Sequence, residues 1–91
     1  MNLYIITYSL GGEMDEARWL EFLKKIKAAG EWNHPLETVW FLKSDKSKDE
    51  LLSELYTPGC FTGICIAKIE SSGDVAGFMP TPLWKWLEGK D

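Results

Sequence analysis

The chain is poor in the residues and patterns by which many enzymes and binding proteins are recognised. It has two cysteines and one histidine in 91 residues. Cys60 and Cys65 are five apart, near and inside a strand-like segment, so their side chains are expected on opposite faces. With His34 as the only imidazole they do not complete a zinc site, and both read as buried free thiols. No apolar run approaches the ~20 residues of a membrane-spanning helix; the stretch 63–67 is far too short. The first six residues lack a positive n-region and a small-residue cleavage site, which predicts a cytoplasmic protein with no secretory leader and no membrane partner. Basic charge is also in deficit. Ten Lys and Arg stand against 14 Asp and Glu, a net charge of −4, whereas a strong nucleic-acid binder needs a surface that neutralises phosphates. Walker, Gly-x-Gly-x-x-Gly, Gly-x-Ser-x-Gly and His-Glu-x-x-His motifs are all missing.

Hydrophobic residues are 45% of the chain and charged residues 26%, ordinary globular usage that excludes disorder. The length predicts one domain, residues 1–91. A chain this short hides only about 60–65% of its unfolded surface on folding, so a subunit interface would add to its stability. Aromatic residues are in surplus: Trp19, Trp32, Trp40, Trp84 and Trp86. Bulky rings bury area in a small core or at an interface. They are not interleaved with Lys or Arg, which argues against a base-stacking platform.

Residues 3–10 are nearly all apolar and predict a central strand covered on both faces. Gly11-Gly12 turns the chain. Residues 14–29 then show helical spacing, with Trp19, Phe22, Leu23 and Ile26 on one face, acids in the first turn and lysines in the last; Gly30 suits the position after the helix. A short strand is expected at 31–34 and a longer one at 37–43, with Asn33-His34-Pro35 marking an edge, a bulge or a hairpin. Ser47-x-x-Glu50 has capping-box form and predicts a helix over 48–56. Residues 61–69 predict another strand, and 75–78 a further short one. Thr81 before Pro82 predicts an N-cap and the start of a final helix. Strand, helix, strand pair, helix, strand is the order of an α+β, ferredoxin-like βαββαβ sandwich, here with a short C-terminal strand and helix added.

Candidate chemistry is sparse. Gly11-Gly12 sits where an anion nest forms, but Glu13, Asp15 and Glu16 repel phosphate there. Ser9, at the end of the first strand, is a nucleophile only with a base beside it, and topology places His34 near the start of that strand instead. Glu37 reads as an outward polar strand position. Lys24, Lys25 and Lys27 form one basic group and Lys43, Lys46 and Lys48 a second, expected at opposite ends of the sandwich and solvated.

The apolar first strand ending in Tyr8-Ser9-Leu10, the run Trp32-Asn33-His34-Pro35-Leu36-Glu37-Thr38-Val39-Trp40, the late apolar strand and the tail 74–80 running into Trp84-Lys85-Trp86-Leu87 resemble the small SinR-like proteins. Those are similar in turn to CRISPR-associated protein 2 and virulence-associated protein D. The resemblance implies a ferredoxin-like homodimer whose late strands complete the partner's sheet, with Tyr8, Trp32, His34, Glu37, Trp40, Trp84 and Trp86 as motif or interface residues. It also implies nucleic-acid contact, for which Lys24, Lys25 and Lys27 are the candidates. Some relatives are described as metal-dependent nucleases using an aspartate at the end of the first strand. Ser9 stands there in this chain, and a hydroxyl is a poor Mg²⁺ ligand; Asp15 lies further on, within the helix.

The expectation is therefore a non-catalytic homodimer with no cofactor, acting through protein association in a defence or toxin–antitoxin setting. Two alternatives go with it. One is an endonuclease with a displaced site at Asp15 or Glu13, taking Mg²⁺ or Mn²⁺. The other is nucleic-acid binding without cleavage.

Overall fold

β1 (Asn2–Leu10) is the strand on which the molecule is built. It pairs antiparallel with β3 (Val39–Ser44) on one side and with β4 (Phe61–Ile69) on the other, and β2 (Glu31–Leu36) pairs with β3 to give the order β2-β3-β1-β4. A computed structural model describes residues 1–89, in which α1 (Glu16–Ala28) separates β1 from β2, α2 (Lys48–Leu55) separates β3 from β4, and α3 (Thr81–Leu87) follows a 3₁₀ turn at Ser72–Asp74. This four-stranded antiparallel α+β sheet with three helices is compatible with a small ferredoxin-like domain. None of the described helices is long and apolar enough to cross a membrane.

Alternation along β1 gives the sheet two working faces. Tyr4, Ile6 and Tyr8 are buried under α1 and α2 with Phe22, Ile26, Trp40, Leu42, Leu51 and Leu55, and the predicted stripe of α1 supplies Trp19 and Leu23 as well. Phe22 is fully buried and meets Phe61, Tyr8 and Trp40 edge-on, with ring centroids 4.9, 5.3 and 6.4 Å away. Truncating such a residue to Ala costs about 3–5 kcal/mol. On the opposite face Leu3, Ile5, Val39 and Ile69 join Phe41 beneath α3, which contributes Leu83 and Leu87.

Local signals set most boundaries. Asp15 caps α1, its carboxylate accepting from the Arg18 amide at 2.8 Å. Both halves of the capping box expected at Ser47 and Glu50 are present. β4 covers the predicted residues, and the kink at 33–35 appears as a register shift on an edge strand.

Several details differ from the sequence reading. Residues 75–78 form no strand. Val75 and Met79 instead pack with the Phe41 cluster, so the tail crosses under the sheet rather than joining an edge. α3 begins at Thr81 itself; Pro80 holds the cap position and no side-chain cap bond forms, because Pro82 fits the first turn equally well one place later. Gly30 does not take the left-handed conformation of a helix terminator. It is required by proximity: Ser44 Oγ donates to the Ala29 carbonyl at 2.9 Å, and a Cβ on Gly30 would run into the Lys43 carbonyl oxygen.

Candidate functional site

The end of β1 carries the Ser9 hydroxyl. Ser9 is exposed and lies opposite Gly63 of β4, with Thr7 opposite Cys65. Thr7, Tyr8, Ser9, Gly63, Ile64 and Cys65 line a shallow depression of ≈ 330 Å³. Its polar groups are hydroxyls and a thiol, and its lining holds no carboxylate, imidazole or amine. Such a surface can donate and accept hydrogen bonds but has no group to take the Ser9 proton at neutral pH. Cys65 is exposed in this depression, contrary to the buried thiol expected, because β4 is an edge strand with no helix over that part of its second face. Cys60 is buried, as expected, with its Sγ 3.7 Å from Met14 Sδ, and desolvation pushes its thiol pKa above the ordinary value.

The run from Trp32 to Trp40 forms a single hydrogen-bonded and stacked unit on the helix-covered side of the sheet. Trp40 Nε1 donates to Tyr8 Oη at 3.0 Å, and Tyr8 Oη donates to the Glu37 carbonyl at 3.1 Å. His34 Nε2 lies 3.0 Å from the same carbonyl, so that nitrogen carries the proton. The His34 ring stacks on Trp40 with centroids 3.8 Å apart and planes 11° from parallel; Trp32 tilts against Trp40 at 5.5 Å, and the Lys27 ammonium lies 4.9 Å from the Trp32 ring. Burial is the largest influence on the Tyr8 phenol and raises its pKa, opposed by the Trp40 bond.

The local reason for this cluster is the turn at Glu37-Thr38. No non-glycine residue there or elsewhere among the described residues has positive φ, so this two-residue hairpin does not use the primed turns that match strand twist. It is held from outside by His34, by Tyr8 Oη and by the Tyr8 amide donating to the Thr38 carbonyl at 3.3 Å. Glu37 thus serves through its backbone oxygen, and it lies in the turn rather than in a strand. His34 is also misplaced by the sequence reading. β2 runs in the same direction as β1, so His34 lies beside Trp40, level with Ile6, rather than near the start of β1. It is still no base for Ser9, which belongs to the other face of the sheet.

The two lysine groups meet at one end of the molecule instead of two. The C-terminus of α1 abuts the end of β3 through Ser44 and Ala29, and Lys25, Ala28, Ala29, Lys46 and Glu54 line a common cleft. Lys25 pairs with Glu21 at 3.3 Å and donates to the Tyr56 carbonyl and Thr57 Oγ1; Lys46 pairs with Glu54 at 2.5 Å, and Lys48 with Asp49 at 3.3 Å. Lys43 is under α3, donating to the Trp86 carbonyl with its ammonium 4.4 Å from the Trp86 ring. Trp84 and Trp86 are half-buried against the Phe41 cluster. Lys24 and Lys27 extend from the exposed side of α1.

Asp15, the displaced acidic candidate, is occupied at the start of α1, with its second oxygen 2.8 Å from Arg18 Nη1. Among the described residues no three His, Cys, Asp or Glu side chains converge as a metal-ion group would. Comparison with protein-family models, with curated proteins and with solved structures finds no match to this chain.

Proposed function

We propose that the protein is a non-catalytic, cytoplasmic homodimer with a ferredoxin-like βαββαβ fold of the type of CRISPR-associated protein 2, acting through protein association in a defence or toxin–antitoxin setting. The observation that carries this reading is the chemistry at the end of β1. Ser9 occupies the position that resembles the relatives' aspartate, and Thr7, Gly63 and Cys65 surround it. Each β1 end therefore presents hydroxyls and a thiol, while Mg²⁺ and Mn²⁺ select carboxylate oxygen. These residues do not fit the metal, and no step is assigned to one.

The strand order β2-β3-β1-β4 with a helix after β1 and after β3 supports the ferredoxin-like reading. The open β4 edge, with four half-buried apolar residues and no fully buried one, supports association. The alternative of nucleic-acid binding is weakened by the ion pairs of Lys25, Lys46 and Lys48, which leave Lys24 and Lys27 as the exposed cations of α1.

Size-exclusion chromatography with light scattering tests the proposal. A dimer mass at micromolar concentration is expected, and a strict monomer refutes it. Cleavage of RNA or DNA in Mg²⁺ or Mn²⁺ that disappears in D15A would instead establish the displaced nuclease.

A further inference from the structure

The sheet has two edges, and they are built differently. The β2 edge carries Pro35 and Glu31, and its pairing slips between Asn33 and Leu36; proline, charge and irregularity are the usual means of blunting an edge. β4 has nine residues without proline, an unbroken register from Gly63 to Ile69, and Lys68 as its one charge.

The pairing also tells which of its backbone groups are free. The Tyr8 amide bonds toward β3, so Leu3, Ile5, Thr7 and Ser9 bond toward β4. Their partners Ile69, Ala67, Cys65 and Gly63 face inward, leaving the N–H and C=O groups of Ile64, Ile66 and Lys68 directed away from the sheet. None of these takes part in a turn or loop backbone bond among the described residues, and the tail packs on the Phe41 face of the sheet instead of along this edge.

β4 reads almost the same in both directions about Cys65: Ile64 and Ile66 flank it, then Gly63 and Ala67, Thr62 and Lys68, Phe61 and Ile69. We propose that β4 pairs antiparallel with β4 of a second copy about a twofold axis at Cys65, joining two four-stranded sheets into one of eight strands. This rests on the homodimer reading above and specifies the surface that makes it. In this register β-branched residues face β-branched, small face small and polar face polar. Moving the axis to Ile66 sets Ile64 against the partner's Lys68 and Gly63 against the partner's Ile69. An isologous contact requires self-complementarity of this kind.

The backbone agrees with the centred register. Ile64 and the partner's Ile66 exchange two hydrogen bonds, which places Cys65 in a non-hydrogen-bonded pair with Cα atoms about 4.5 Å apart, within the span a disulfide bridges.

The test uses the full chain and diamide as oxidant. Two Cys65 thiols lose their protons, one S–S bond forms, and two electrons and two protons pass to the diamide N=N bond. The expected result is a dimer by light scattering and a covalent dimer on a non-reducing gel. C65S loses the covalent band and keeps the dimer mass; Cys60, fully buried, does not substitute. C65K, which sets like charges opposite each other at an exposed position, becomes monomeric. I66P removes an outward amide while sparing the bonds to β1, so it keeps its circular dichroism and loses the dimer; should it not fold, C65K decides. A wild-type dimer that forms no Cys65 link, or a C65K chain that remains dimeric, overturns this interface while leaving homodimerisation intact. A monomeric wild type overturns both.

Discussion

Removing the Tyr8 hydroxyl is the sharpest probe of the Trp32–Trp40 run. Tyr8 is 6% exposed and Trp40 1%, and the phenol oxygen accepts from Trp40 Nε1 and donates to the Glu37 carbonyl. Tyr8→Phe keeps the ring contacts with Phe22 and Phe61 but leaves the buried indole N–H without its partner. The Glu37 carbonyl retains His34, so its loss is the smaller one. A lost hydrogen bond contributes about 1 kcal/mol and an orphaned buried donor costs about 1–3, which together predict ~2–4 kcal/mol. In a domain of this size that lowers the melting temperature by about 10–30 °C. Trp40→Phe removes the donor and part of a core ring, with a cavity cost of a similar few kcal/mol. In the double variant the orphaned donor no longer exists, so its destabilisation should fall short of the summed single values by at least about 1 kcal/mol. Urea unfolding followed by far-UV circular dichroism measures all four proteins without depending on the altered tryptophan. Strict additivity, or a Tyr8→Phe effect under about 0.5 kcal/mol, would show that the run is not a mutually supporting structural unit and would return it to consideration as a binding surface.

Gly30→Ala should cost at least about 2 kcal/mol, because the obstructing atom is a backbone oxygen that no rotamer change can move. Gly12→Ala, where a Cβ meets nothing, is the control, and equal melting temperatures for the two variants would contradict the close approach. Thiol titration of the native protein with an aromatic disulfide should count one reactive cysteine, Cys65, with Cys60 reacting only after denaturation; two fast thiols in the native state would place Cys60 at the surface. The folded state holds the Cys60 and Tyr8 protons more tightly than the unfolded chain, whose ordinary values are 9.0 and 10.0. Their contribution is complete below those values and is lost as pH rises through the raised folded ones. The urea midpoint should therefore fall above pH ~9, less steeply in Tyr8→Phe, and an identical slope in that variant would exclude Tyr8 as a source.

Features encoded over a few neighbouring residues were legible in the chain. The apolar stripe of α1, the reciprocal cap at Ser47 and Glu50 and the extent of β4 follow from spacing and local hydrogen-bond chemistry, and the structure reproduces them. The separation of His34 from Ser9 was also foreseeable, although for a different reason. His34 is kept from it by the sheet itself and not by distance along β1, because side-chain faces alternate with register.

Tertiary structure decided whatever depends on which distant residues meet. Nothing near Gly30 signals that the Lys43 carbonyl will occupy the space a side chain needs. The lysines at 24–27 and 43–48 share an end only because α1 returns the chain to the start of β1, where β3 also finishes. The tail carries strand-like residues, yet the sheet's second face left Leu3, Ile5 and Phe41 to be covered, and burying that apolar area outweighed one more ladder of backbone bonds. Propensity and capping act within a turn or two of chain, so sequence by itself determines the elements; register, burial and close approach arise from contacts between segments far apart in sequence, and only the folded chain specifies them.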